Sequence, residues 1–264
     1  MILQPEGRSY RLFDFLLGDQ LAWNIPLFML LLLIALLYKW LVKNYLHKTI
    51  VHRKTFSIFL GLGLLYLAIG SPLTKISELS FSLHMLQMSI LYFIIPPLII
   101  YGMPAFKALN RWLLPPQIAL VSFAILLFLY HIPIVINLLS AYSAIHNGYV
   151  TLLFILSLHF WWPLVAPDPK HRFQGTVKKQ YCHYNSLYIM PACLLLIVSA
   201  VIGEINNPFL TQITAHLCLP SETNSIQVLP PFFNTSYDQI TAGILMIGIH
   251  KLSLKLTIHI SNDS

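Results

Sequence analysis

The sequence predicts an all-α protein, an integral membrane bundle of seven transmembrane helices with its N-terminus outside and its C-terminus in the cytoplasm. Of its 264 residues 57% are hydrophobic and only 9% charged, whereas a soluble domain carries about 25% charged residues. This balance excludes an ordinary soluble enzyme. It also excludes a disordered chain, which needs low hydrophobicity and high net charge.

Seven apolar segments follow one another along the chain, each long enough to cross a bilayer core of roughly 30 Å as a helix rising 1.5 Å per residue. Seven crossings of about 20 residues use roughly 140 residues and leave only short loops, so residues 1–264 form a single transmembrane domain. Because the last segment contains Lys251 and Lys255, six crossings followed by an amphipathic tail remain an alternative. The predicted helices are 23–42, 56–73, 81–101, 117–139, 146–166, 187–203 and 238–260.

The orientation follows from the basic residues, because cytoplasmic loops retain Lys and Arg. Thirteen of the sixteen basic residues fall on one side of the predicted helices, and seven of the nine acidic residues fall on the other side. An odd number of crossings agrees with this separation. The net charge of +7 therefore reports membrane topology, and no nucleic-acid partner is expected.

Five potential metal ligands lie in the outer third of four predicted helices. His84 lies about three residues inside the third helix, and Met88 shares its helix face because it follows four residues later. Met85 points about 100° away from that face. His131 lies ~12 Å below the outer end of the fourth helix, and an ionisable group at such a depth is by default a functional hypothesis. The predicted ligands are His84, Met88, His131, His146 and Asp238.

Imidazole and thioether groups together suit copper, particularly Cu(I), better than zinc or magnesium. Haem is the competing cofactor, because His159 and His250 lie near the middle of their helices and could supply axial bonds. Structural interpretations remain open beside these. Asp238 would favour a helix N-terminus, Met88 could fill a core gap, and His159 and His250 could bond to neighbouring helices.

Other sequence features limit the function classes. The pair Pro96-Pro97 inside the third helix predicts a kink, because proline removes a backbone donor and clashes with the preceding turn. The sequence contains no nucleophile elbow, no HExxH motif, no paired intramembrane carboxylates and no nucleotide-binding loop. We therefore expect neither a hydrolase nor an ATP-driven pump, and predict that the protein is not an enzyme.

Several short motifs carry a family resemblance, and their order and spacing make it specific. The sequence resembles the CtaG family of multispanning cytochrome c oxidase assembly factors from about residue 60 to residue 246. The motifs are Phe81-Ser82-Leu83-His84-Met85-Leu86-Gln87-Met88, Pro96-Pro97-Leu98, Gly102-Met103-Pro104, Tyr130-His131-Ile132-Pro133, His146 with Phe160-Trp161-Trp162-Pro163, and Asp238-Gln239 with Ala242-Gly243-Ile244-Leu245-Met246.

The resemblance implies a seven-helix protein of the plasma membrane that is needed to make active haem-copper oxidase. It implies copper handling as the mechanism, and oxidase subunits and the lipid bilayer as partners. The family's histidines and acidic residue fall on His84, His131, His146 and Asp238. Many relatives have a further histidine one turn after the first in the third and fifth helices, where this chain has Met88 and Val150.

The leading hypothesis is a non-enzymatic assembly factor that holds copper at the outer membrane face and delivers it to an oxidase subunit. The alternative is a membrane transporter or sensor that binds haem or a small ligand in the same polar cluster. Transporters usually show repeats and broken helices around a midplane site, whereas this cluster lies near one surface. Association of two copies as a homodimer stays open.

Overall fold

The computed structural model describes residues 23–45, 52–77, 80–104, 114–202 and 235–262, and these residues are almost entirely helical, with no strand among them. The predicted all-α class is confirmed. Among the described residues, a 3₁₀ turn occupies Pro169–His171. The helices in these ranges are α1 Ile25–Tyr45, α2 His52–Ile69, α3 Leu73–Ser77, α4 Phe81–Gly102, α5 Pro116–Tyr130, α6 Pro133–Ala141, α7 Ser143–Val165, α8 Gly175–Ile202 and α9 Ser236–Asn262.

Five of the described helices, α1, α4, α7, α8 and α9, are long and apolar enough to cross a membrane, and α5 is a shorter apolar helix. Their outward faces are apolar as well; for example, α1 exposes Leu30, Leu33 and Leu36. Hydrocarbon is the solvent that such faces fit, so the chain is a multi-pass membrane protein. Helices also occupy the other predicted intervals, while the count of seven crossings and the orientation stay predictions.

The helix α4 packs against α2, α7 and α9. The helix α8 packs against α9 and α5, and α5 packs against α7. These contacts close a ring of α4, α9, α8, α5 and α7 around large side chains such as Tyr92, Phe123 and Trp161, which are fully buried. Outside this ring, α1 packs along α2.

Contacts at the helix ends define the two ends of the bundle. At one end, which we call the Ser80 end, the Asn24 N–H donates to the carbonyl of Gly70 at 2.8 Å, and Asp238 contacts Ser80. At the other end, the Gly102 end, the Tyr38 hydroxyl donates to the carbonyl of Gly102 at 2.9 Å. The sequence predicts that the Ser80 end faces outward.

The two prolines of α4 leave a local change of helix type. Neither Pro96 nor Pro97 can donate to the carbonyl four residues earlier, and the helix widens to a π-helix over Ile90–Ile94. The carbonyl of Tyr92 accepts from Trp161 Nε1 at 3.0 Å, and that of Phe93 accepts from Ser253 Oγ. Side chains of α7 and α9 thus replace the missing donors, as a membrane interior requires.

The prediction of one helix over 117–139 is wrong. The helix α5 ends at Tyr130, and α6 begins at Pro133 after Ile132 adopts an extended conformation with ψ 125°. Proline disfavours the helical conformation of the residue before it, which explains the break. His131 is therefore the C-cap of α5 rather than a residue inside a straight helix.

The helix α8 begins at Gly175, twelve residues before the predicted start at 187. Its first turns carry Lys178, Lys179 and His183, and a hydropathy pattern detects only the apolar part that follows. At 1.5 Å per residue the 28-residue helix is about 42 Å long. Its basic first turns can therefore extend beyond a hydrocarbon core of about 30 Å.

Candidate functional site

Tyr130, the last residue of α5, joins three of the predicted ligands at the Ser80 end. Its hydroxyl lies 3.0 Å from His84 Nε2 on α4 and 3.1 Å from His146 Nε2 on α7. The ring of His131 lies against the same tyrosine, with ring centroids 5.7 Å apart. The structure therefore brings His84, His131 and His146 together around one fully buried aromatic ring.

The single proton of the Tyr130 hydroxyl limits the hydrogen bonds that it can make with His84 and His146. A tyrosine hydroxyl has one proton to donate, so it cannot donate to both imidazoles at once. At least one of the two imidazoles must therefore donate its own Nε2 proton to the phenol oxygen when both contacts are hydrogen bonds. The hydroxyl thus links the rings of His84 and His146.

His131 has a different partner, Met85, which the sequence pattern did not select. The Nδ1 atom of His131 lies 2.6 Å from the carbonyl oxygen of Leu127, and a carbonyl only accepts, so Nδ1 carries the proton. In the neutral ring, Nε2 then keeps its lone pair. That atom lies 3.2 Å from the sulfur of Met85, which has no proton to give. A nitrogen and a sulfur atom, each with a lone pair that can bind a metal ion, therefore face each other in a buried position.

Asp238, in the first turn of α9, receives donors from the start of α4. The Ser80 hydroxyl lies 3.0 Å from both carboxylate oxygens, and the N–H groups of Phe81 and Ser82 lie at 3.0 and 3.3 Å. The fully buried carboxylate therefore lies at the N-termini of α4 and α9 together. Both helix dipoles favour a negative charge there. The arrangement supports the structural interpretation of this residue, while a ligand role stays a prediction.

Met88 lies in the hydrophobic core with 5% of its surface exposed. Beside it, the amide nitrogen of Gln87 donates to the carbonyl of Ala68 at 2.6 Å. Among the residues that the structure describes, no three His, Cys, Asp or Glu side chains lie close enough to hold one metal ion. The five predicted ligands thus divide into three histidines around Tyr130, a carboxylate that caps a helix and a thioether in the core.

The two histidines considered for haem each have a hydrogen-bond partner. His159 Nδ1 lies 2.7 Å from the carbonyl oxygen of Ile155, and His250 Nε2 lies 2.9 Å from Asn185 Oδ1. The His250 ring also packs against Phe93, with ring centroids 4.8 Å apart. His250 is therefore bonded to the neighbouring helix α8, as its structural interpretation expects, whereas His159 is bonded to its own helix α7. Haem binding by either residue stays an alternative.

Comparison with protein families identifies a match over most of the chain. The family model described as "cytochrome c oxidase caa3 assembly factor" matches residues 36–260, a range that contains Tyr130, Met85 and every predicted ligand. Searches of curated proteins and of solved structures return no significant match. Because the family model covers most of the chain, the chain belongs to the family of cytochrome c oxidase caa3 assembly factors.

Proposed function

We propose that this assembly factor acts by holding copper at the Ser80 end of the bundle and delivering it to an oxidase subunit. The contact that carries the proposal is that between His131 Nε2 and Met85 Sδ, 3.2 Å apart. Both atoms present lone pairs rather than protons. A cation between them would replace an arrangement that forms no hydrogen bond in the neutral state.

The chemistry of this pair favours Cu(I) over harder or more highly charged ions. Thioether sulfur and imidazole nitrogen are ligands that copper prefers. Both are neutral, and a buried charge without a counter-charge is costly, so a monovalent ion fits better than a divalent one. The carboxylate at this end, Asp238, is already engaged by the start of α4. A site with few soft ligands also releases its ion readily, as a delivery protein must.

The other two histidines provide a route from this pair toward the surface. His84 is buried, whereas His146 lies in the first turn of α7 and is only partly buried. Both touch the Tyr130 hydroxyl, and the ring of Tyr130 touches His131. We propose that copper held at His131 and Met85 leaves past Tyr130 toward His146, where an oxidase subunit receives it.

Delivery to an extracytoplasmic copper centre requires that the Ser80 end faces outward. We propose seven crossings in the plasma membrane, with the Gly102 end in the cytoplasm. Reporter fusions or cysteine labels at Lys54 and Lys179 should report the cytoplasm, and those at Lys75 should report the exterior. A cytoplasmic signal at Lys75 would contradict the delivery proposal, because the histidines would face the wrong compartment.

The decisive experiment compares two buried methionines of α4, Met85 and Met88, which have 3% and 5% of their surfaces exposed. Exchange of methionine for leucine nearly conserves volume and usually costs less than about 1.5 kcal/mol. The purified protein and the variants Met85→Leu and Met88→Leu are titrated against a Cu(I) chelator. We expect Met85→Leu to weaken Cu(I) binding at least about tenfold, since even supporting partners of ligands contribute that much. Met88→Leu should bind as the unchanged protein does.

Three results would count against this assignment. Equal Cu(I) affinities of the two variants would show that the Met85 sulfur is not a copper ligand. A loss of affinity in Met88→Leu alone would show that Met88, the ligand that the sequence predicts, binds the ion. An absorption spectrum of the same preparation tests the alternative cofactor. A Soret band without bound copper would favour the haem-binding transporter or sensor.

A further inference from the structure

A second polar region lies away from the histidine cluster, in a groove between α8 and α9. The groove has a volume of about 280 Å³. Its wall includes exposed residues of both helices, such as Leu187 and Lys251, so it opens to the surroundings of the bundle. Its lining residues include His183, Ser186, Leu187, Met190, Ile247 and Lys251.

The groove is polar at one end and apolar at the other. His183, Ser186 and Lys251 line the end nearer the start of α8. This start lies at the Gly102 end, because the Tyr181 hydroxyl donates to the carbonyl of Pro116 at the start of α5, whose last residue lies at the Ser80 end. Leu187, Met190 and Cys193 continue the wall along α8, and ten residues from 183 to 193 correspond to about 15 Å along the helix. An occupant with a polar head and an apolar chain matches this gradient.

Lys251 gives the polar end its charge. It is an exposed residue in the middle of α9, about 20 Å along the helix from Asp238. An ammonium group on a membrane-spanning helix is costly unless it is paired. Only two acidic residues belong to the described ranges, and both accept hydrogen bonds at other places. Asp168 accepts from Lys170 N–H at the turn before α8, and Asp238 accepts from Phe81 N–H at the Ser80 end. Within those ranges Lys251 therefore has no carboxylate partner.

We propose that this groove binds one anionic phospholipid of the cytoplasmic leaflet. Its phosphate lies against Lys251 and His183, and one acyl chain follows Leu187, Met190 and Ile247 into the membrane. Basic pockets between helices on the cytoplasmic side are a known mode of recognition of anionic head groups. The leaflet rests on the orientation proposed above, whereas the preference for an anionic head group rests on the groove itself.

The test uses the full chain, purified in mild detergent without added copper and exposed to equal amounts of phosphatidylglycerol and phosphatidylcholine. Native mass spectrometry then counts each bound lipid. The unchanged protein should retain phosphatidylglycerol preferentially. Lys251→Gln should reduce that preference about fivefold, since one basic residue near the membrane surface contributes about that much. Lys251→Arg, which keeps the charge, should retain the preference.

A matched control lies one turn further along the same helix. Lys255 is also exposed but does not line the groove, so Lys255→Gln should leave the lipid ratio unchanged. Met190→Trp, which fills the apolar part, should lower the retained amount of phosphatidylglycerol. Equal retention of both lipids by the unchanged protein, or equal losses in the two glutamine variants, would overturn the proposal. Because copper is absent, these outcomes do not depend on copper delivery.

Discussion

Asp238 and His131 are both buried polar residues at the Ser80 end, but they differ in what their atoms face. Each oxygen of Asp238 receives donors from residues 80–82, so the carboxylate has its hydrogen bonds satisfied. The Nε2 atom of His131 faces a sulfur that has no proton to donate. A satisfied buried group stabilises a fold. A lone pair held against another lone pair is suited instead to receiving a cation.

The largest expected effect comes from removal of the satisfied group. Asp238→Ala leaves the N–H groups of Phe81 and Ser82 buried without their acceptor, at a cost of about 1–3 kcal/mol for each group. We expect little protein in the membrane and a lower unfolding temperature in detergent. Asp168→Ala is the control, because Asp168 is 40% exposed and lies outside the helices. If Asp238→Ala accumulates normally but loses copper, the carboxylate is a ligand rather than a cap.

Removal of the other group should separate activity from stability. In copper-limited cells, His131→Ala should abolish oxidase activity while the protein still accumulates, because the proposed copper ligand is lost and the helix contacts of α4 and α9 remain. Oxidase assays and immunoblots of the same membranes measure both quantities. His159→Ala, a change on α7 outside the cluster, should leave both unchanged. Normal oxidase activity in His131→Ala would leave this histidine with a structural role alone.

Tyr130→Phe tests whether Tyr130 contributes to the stability of the fold, to copper binding or to both. The variant keeps the ring that packs against three histidines but removes the hydroxyl shared by His84 and His146. We expect a loss of about 1–2 kcal/mol in the free energy of unfolding, and a smaller loss of Cu(I) affinity than in Met85→Leu. Thermal unfolding and chelator competition provide the two values. An affinity loss as large as in Met85→Leu would place the phenol oxygen among the copper ligands.

The smallest expected effect is a partial rescue. Excess copper should restore part of the oxidase activity in cells that lack this protein, because mass action replaces a delivery step but cannot replace a scaffold. The measurement is oxidase activity together with the copper content of the oxidase subunits across a copper titration. Oxidase subunits that are fully metallated yet inactive would indicate that this protein assists their folding rather than their copper loading.

Sequence reasoning located the helices better than their ends. Apolar runs predicted helices in each of the seven intervals, because burial in lipid requires a continuous apolar face. The break at Ile132 was missed, although Pro133 signals it, because the run from 117 to 139 stays apolar across the proline. The early start of α8 was missed for the opposite reason, since Lys178 and Lys179 are helical but charged.

The candidate site was predicted in part, and the missing part has a physical cause. The spacing of four residues within one helix places Met88 on the face of His84. A thioether and an imidazole that meet from two different helices have no characteristic spacing in the sequence. Met85 reaches His131 only because α5 ends at Tyr130 and places its C-cap beside α4. The role of Asp238 was likewise visible only in part, because the helix start that it caps lies 157 residues earlier.

The paired prolines of α4 set a condition on the order in which the chain is completed. The carbonyl of Phe93 accepts from Ser253, a residue made about 160 positions later, and the start of α4 is capped by Asp238 of the same late helix. Deeper in the bilayer, the carbonyl of Phe93 finds no water to replace the Ser253 donor. We therefore expect α4 to enter the membrane as an unfinished helix whose hydrogen bonding is completed only when α9 inserts. A chain truncated before Ser253 should be recognised by membrane proteases, even though every helix around the histidines has already been made.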